Sequence, residues 1–96
     1  MKLIGIEKLI DFGKSHSIIR KPLNMWIVEV RSANWKTPQS IKDRYRTADF
    51  LSGNRVIFNI KGNHFRLVAK VNYGYQIVLV EWIGTHAEYD QKKFSE

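Results

Sequence analysis

The chain of 96 residues has no cysteine, only two prolines, and six glycines that never form a cluster. Without thiols there is no disulfide framework and no thiolate metal site, and nothing points to secretion. Scattered glycines exclude a Gly-rich phosphate loop or a dinucleotide fingerprint. No apolar run approaches the ~20 residues needed to cross a bilayer. Met1 to Asp11 carries Lys2, Glu7, Lys8 and Asp11, so it lacks the basic start and unbroken apolar stretch of a signal peptide. Acid is scarce as well: nine Asp and Glu face sixteen Lys and Arg, a net charge of +7. What is present in quantity is apolar. Hydrophobic residues make up 44% of the chain and include three Trp, five Phe and four Tyr, which excludes a disordered polycation. The expectation is one compact cytoplasmic domain over 1–96, with one small core and a polyanion or an acidic protein as partner.

The charge is unevenly placed. Phe12 to Arg46 holds eight cations against Glu29 and Asp43. Gly53 to Lys70 holds Arg55, Lys61, Arg66 and Lys70 with no acid. Past Thr85, Lys92 and Lys93 are outweighed by Glu88, Asp90 and Glu96.

The first half reads as helix. Leu3, Ile6, Leu9, Ile10 and Gly13 fall at helical spacing, with Gly13 as an end. Ser17 is placed to cap a second helix whose stripe is Ile19, Leu23, Trp26, Ile27 and Val30, although Pro22 allows a start nearer Lys21. Ser32 to Lys36 breaks the pattern, and Thr37-Pro38 opens a short helix to about Tyr45. The second half reads as strand: Arg55 to Ile60, a turn at Lys61-Gly62-Asn63, His64 to Asn72, a turn at Asn72 to Tyr75, and Gln76 to Ile83. In the middle strand the period of two puts Arg66 and Lys70 on one face and Phe65, Leu67, Ala69 and Val71 on the other. Gly84 then breaks the strand, and Thr85 caps a last helical turn, His86 to Asp90. The fold class expected is α+β, with two N-terminal helices packed on one face of a small antiparallel sheet.

Two constellations carry chemistry. In the last turn His86, Tyr89 and Asp90 lie at i, i+3 and i+4 and share a face. An imidazole, a phenol and a carboxylate there can move protons, or the segment can simply cap and pack. Around the hairpin, Asn59, Lys61, Asn63, Arg66 and Lys70 supply amide and cationic donors of the kind that hold phosphate. Turn chemistry accounts equally well for Asn63 beside Gly62. A metal site is disfavoured, since His16 reads as surface, His64 follows a turn, and His86 with Asp90 lacks a third ligand. Trp26 and Trp82 read as core or helix–sheet contacts. Trp35, in a polar break beside Lys36, is the exception.

Trp35-Lys-x-Pro38, Val56-Ile-Phe-Asn-Ile-Lys-Gly-Asn63, Arg66-Leu-Val and Ile83-Gly-Thr-His-Ala-Glu-Tyr-Asp90 together resemble the HigB-type toxins of type II toxin–antitoxin modules, in the RelE-like group of mRNA interferases. The resemblance implies that family's fold and an endoribonuclease that cuts mRNA on translating ribosomes. The reaction implied is attack of a ribose 2′-OH on the adjacent phosphate, with no metal or other cofactor. It implies Lys61 and Arg66 for charge stabilisation, His86, Tyr89 and Asp90 for proton transfer, and an RNA-holding surface that includes Lys36, Asn59, Asn63 and Lys70. The partner implied is a HigA-type helix-turn-helix antitoxin. A non-catalytic RNA- or ribosome-binding module, or a subunit that binds only an acidic protein, would use the same basic surface.

Overall fold

The computed structural model describes residues 1–92. Among these the elements run β1 (Lys2–Ile4), α1 (Ile6–Ser15), a 3-10 turn (Ser17–Ile19), α2 (Arg20–Ser32), α3 (Pro38–Arg44), β2 (Asp49–Leu51), β3 (Arg55–Ile60), β4 (Phe65–Asn72), β5 (Ile77–Thr85) and α4 (His86–Gln91). The strands form one sheet in the order β1-β5-β4-β3-β2. The fold is α+β, but the sheet is mixed rather than antiparallel, because β1 runs parallel to β5 with Leu3 opposite Val78.

The mixed sheet corrects the reading of the first residues. Leu3 is at helical spacing from Ile6 and Leu9, yet it is a strand residue buried in the core. Gly5 separates the two states. It stands at φ 89°, and a Cβ there would lie 2.8 Å from the Val80 carbonyl oxygen. Only glycine turns the chain so tightly against β5. With Leu3 removed from the stripe, α1 buries Leu9 and Gly13, and Ile10 points to solvent. Nor does Ser17 cap α2. It opens the 3-10 turn, and no side chain caps the start of α2.

α2 follows its periodicity: Leu23, Trp26, Ile27 and Val30 are all buried. α3 is capped as Thr37-Pro38 dictates, with the Thr37 hydroxyl accepting from the Ser40 amide at 3.4 Å. Its far end is tied to α2, since the Tyr45 hydroxyl donates to Glu29 at 2.7 Å. Burial, reinforced by that carboxylate, pushes the Tyr45 hydroxyl well above the ordinary tyrosine range. Trp35 is buried, contrary to its polar neighbours. Its ring stacks on Phe58 at 6.1 Å, and the Trp26 and Tyr45 rings meet Phe58 edge-on at 5.3 and 5.1 Å. Val56, Phe58 and Ile60 of β3 and Phe65, Leu67 and Ala69 of β4 share this core with Leu9, Ile19, Trp26 and Val30.

Two further departures concern the sheet. β2 has only three residues and reaches the sheet through a turn in which Gly53 and Asn54 both adopt positive φ. β5 does not stop at Gly84 but continues to Thr85. It also carries a bulge: Val68 pairs with Trp82 and Ala69 with Val80, so Glu81 is the extra residue. Before the bulge, Val78 and Val80 point into the core. After it the phase reverses, and Trp82 and Gly84 share the face of Arg66 and Val68. Glu81 turns to Arg55 on β3, at 2.8 Å.

Gly5→Ala tests this frame. A Cβ at Gly5 adds a backbone clash to the strain of a left-handed residue, and the substitution is expected to cost about 2–4 kcal/mol, with a matching fall in the urea midpoint. Gly62→Ala, at φ 63° with nothing within 4 Å of the new Cβ, is expected to cost only about 1 kcal/mol.

Candidate functional site

The site is built on the sheet face that the bulge defines. Arg66 on β4 lies opposite Asn59 on β3 and Gly84 on β5. The lack of a side chain at Gly84 makes room for Trp82, since a Cβ there would be 2.5 Å from the indole ring. Trp82 in turn packs against Tyr89 of α4, with ring centroids 6.0 Å apart. The Arg66 guanidinium lies over the Tyr89 ring, 4.7 Å from its centroid. Arg66 and Tyr89 border a groove of about 410 Å³ lined also by Ile57 and by Asp49, Phe50 and Leu51 of β2.

Two polar atoms at this site stand out. Arg66 Nε and Asn59 Oδ1 are buried and have no hydrogen-bond partner, and they belong to residues directly opposite each other in the ladder. Leaving a buried donor unpaired costs about 1–3 kcal/mol, and more when it belongs to a charged group. Asn59 is otherwise held, its amide donating to the Thr47 carbonyl at 2.9 Å. An Arg donor held at a groove without an acceptor has the form of an anion site awaiting its ligand.

α4 is aimed by its cap. The Thr85 hydroxyl accepts from the Glu88 amide at 3.1 Å, and the Glu88 carboxylate accepts from the Thr85 amide at 2.7 Å. This is the capping box that Thr85 and Glu88 encode. A second tie is the His86 amide, which donates to the His64 carbonyl at the hairpin end. The box presents Tyr89 to the groove and sets His86 and Asp90 side by side, Nδ1 to Oδ2 at 3.4 Å. With Nδ1 toward the carboxylate, Nε2 is the ring nitrogen left for an incoming proton.

The sequence-derived residues are therefore distributed as follows. Arg66 and Tyr89 come together at the groove, with His86 and Asp90 beside Tyr89 on α4 but outside the groove lining, while Asn59, opposite Arg66 in the ladder, borders the neighbouring hollow. Lys70 shares the face of Arg66 further along β4 and is exposed. Lys61 and Asn63 are at the exposed tip of the hairpin, and Lys61 borders a different hollow, with Trp26 and Tyr45. Lys36 is at the opposite end of the sheet from α4. There the neighbouring Trp35 carbonyl accepts from Gln76, next to the β4–β5 turn. Asp49, Phe50, Leu51, Ile57 and Trp82 belong to the site without having been singled out as such. Phe50-Leu51 followed by Ser-Gly-Asn and a strand is a hairpin signal that would have found β2.

The family model described as HigB toxin, RelE-like toxic component of a toxin–antitoxin system, matches residues 19–92. The chain belongs to this family. The match takes in the groove, the capping box and all three hairpins, and leaves out β1 and α1. No curated protein matches the sequence. As the toxic component of such a system, this HigB-family toxin has an antitoxin for a partner. Among the described residues, no helix is long and apolar enough to cross a membrane.

Two predictions concern the site's construction. Gly84→Ala should displace the Trp82 indole and disturb Glu88, whose Oε1 would be 3.0 Å from the new Cβ. A loss of about 1–3 kcal/mol with an altered near-UV circular dichroism spectrum is expected, while far-UV signal persists. The second concerns pH. The Thr85 amide holds the Glu88 carboxyl below its ordinary range, against a smaller opposing effect of burial. A depressed folded pKa means that the box stabilises α4 above the ordinary glutamate value and is lost as pH falls through the depressed value. The Thr85 amide proton shift, followed by NMR, should titrate with a midpoint below that of a free glutamate, and Glu88→Gln should abolish that step.

Proposed function

We propose that this toxin is a metal-independent endoribonuclease that cleaves mRNA, on translating ribosomes, within the cytoplasm. The observation that carries the proposal is Arg66: a guanidinium stacked on Tyr89, at a groove, with a buried N–H that has no acceptor. A phosphate in the groove would meet the guanidinium. In the reaction proposed, a ribose 2′-oxygen bonds to the adjacent phosphorus and loses its proton to a base. The bond to the 5′-oxygen breaks, and that oxygen takes a proton from an acid. The products are a 2′,3′-cyclic phosphate and a 5′-hydroxyl. Arg66 balances the charge that builds on the phosphorane oxygens. Tyr89, beside Arg66, and His86, oriented by Asp90, are the proton carriers. Lys61 serves charge stabilisation from the hairpin tip. Asn59, Asn63, Lys36 and Lys70 hold RNA along the sheet and its ends. The arrangement is RelE-like, residues 1–96 forming one toxin domain with α1 and α2 covering the sheet face that Arg66 does not occupy. The partner is a HigA-type helix-turn-helix antitoxin.

A second reading has its own support. His86 and Asp90 lie outside the groove lining, and a basic face can hold ribosomal RNA without cutting it. Adding the purified toxin to a translating extract and mapping mRNA 5′ ends separates the two. The catalytic reading expects new 5′-hydroxyl ends, and a loss of about 100-fold or more in cleavage for Arg66→Ala. Tyr89→Phe, which keeps the stacked ring, should lose rate while retaining RNA affinity. RNA binding with no cuts at any toxin concentration would leave only the second reading.

A further inference from the structure

The solvent side of α2 has an unusual composition for a surface helix. Met25 and Val28 are 57% and 64% exposed, and Ile18, at the turn that leads into the helix, is 62% exposed. At seven and three residues apart they lie on one side of the helix, directly away from the buried Leu23, Trp26, Ile27 and Val30. Ile10 of α1, 54% exposed, is a fourth. They are not isolated. A hollow of about 240 Å³ lies between α1 and α2, and one of about 560 Å³ continues along α2, the two sharing Arg20 and Asn24 in their walls. Two neighbouring helices with a continuous shallow groove form a seat for a third.

The charges at its rim specify the occupant. Lys14, Arg20 and Lys21 line the groove. The one acid in its walls, Glu29, is already engaged by Arg44 and Tyr45, and Lys14 has only a loose 3.6 Å contact to Asp11 between two exposed side chains. An apolar floor with a cationic rim fits an amphipathic helix whose polar edge is acidic. The toxin has an antitoxin for a partner, and nothing among the described residues covers this face.

We infer that the antitoxin neutralises this toxin by laying an acidic amphipathic helix along the α1–α2 groove, anchored on Met25 and Val28. The inference rests on membership in a toxin–antitoxin family and is independent of RNA cleavage. The test pairs purified toxin with its purified cognate antitoxin in a titration. The double variant Met25→Asp, Val28→Asp changes only exposed side chains, and its melting temperature should stay near that of the parent. Its antitoxin affinity should fall by about 30-fold or more, the size of an anchor loss. Lys21→Glu should weaken binding about tenfold and flatten its salt dependence. Expressed alone, the double variant should arrest growth as the parent does, and co-expressed antitoxin should no longer relieve the arrest. Hydrogen exchange in the parental complex should show protection in α2. Parental affinity in the folded double variant, or protection confined to β2 and α4, would overturn the inference. So would a parental toxin that is dimeric alone and becomes monomeric in the double variant, since a second copy would then own the face. If the toxin binds antitoxin as described but cuts no RNA, only the ribonuclease reading falls.

Discussion

One extra residue in β5 determines which side chains the outer sheet face offers. Strand alternation with period two would carry Val78, Val80, Trp82 and Gly84 all to the same side, into the core. The bulge at Glu81 reverses the phase halfway along. It keeps the two valines inside and turns Trp82 and Gly84 outward, next to Arg66. The rest of the groove depends on that reversal. A glycine opposite Arg66 lets the indole lie flat over the strand. The indole supports Tyr89, and Tyr89 supports the guanidinium. The displaced Glu81 is held by Arg55, so the irregularity has a charged tether on the next strand but one.

Two of the cations on this face are in different physical situations. Arg55 has its carboxylate partner at 2.8 Å, whereas Arg66 has an aromatic ring and a buried N–H without an acceptor. The first arrangement is self-contained. The second leaves a guanidinium at the groove with one buried N–H unmatched, and the capping box at Thr85 fixes the ring beneath it. On α2 the imbalance is apolar instead. Large side chains face water above a helix whose other side is fully buried. The described residues thus carry two surfaces of opposite chemistry, one cationic and one apolar.

What could be read from the sequence was whatever repeats over several residues or is written into a local cap. The four buried positions of α2 carry the helical period, β4 carries the alternation that puts Arg66 and Lys70 together, and Thr85 with Glu88 encodes the start of α4. Strands of three residues carry no period, so β1 was absorbed into a helical stripe through Leu3, and β2 was missed, along with Asp49 and Phe50 of the groove. Trp35 has polar neighbours in sequence, while its burial comes from Phe58, far along the chain. Trp82 faces outward because of a pairing shift between strands, which no single strand's pattern contains.

The parallel pairing of β1 with β5 also sets an order of assembly. Leu3 of β1 and its ladder partner Val78 of β5 are separated in the chain by β2, β3 and β4. During synthesis the N-terminal segments emerge first, and contacts of such long range close late. The sheet therefore cannot be completed until β5 has left the ribosome, and Tyr89, the lid of the arginine groove, follows later still. The groove is finished only after every strand of the sheet is in place.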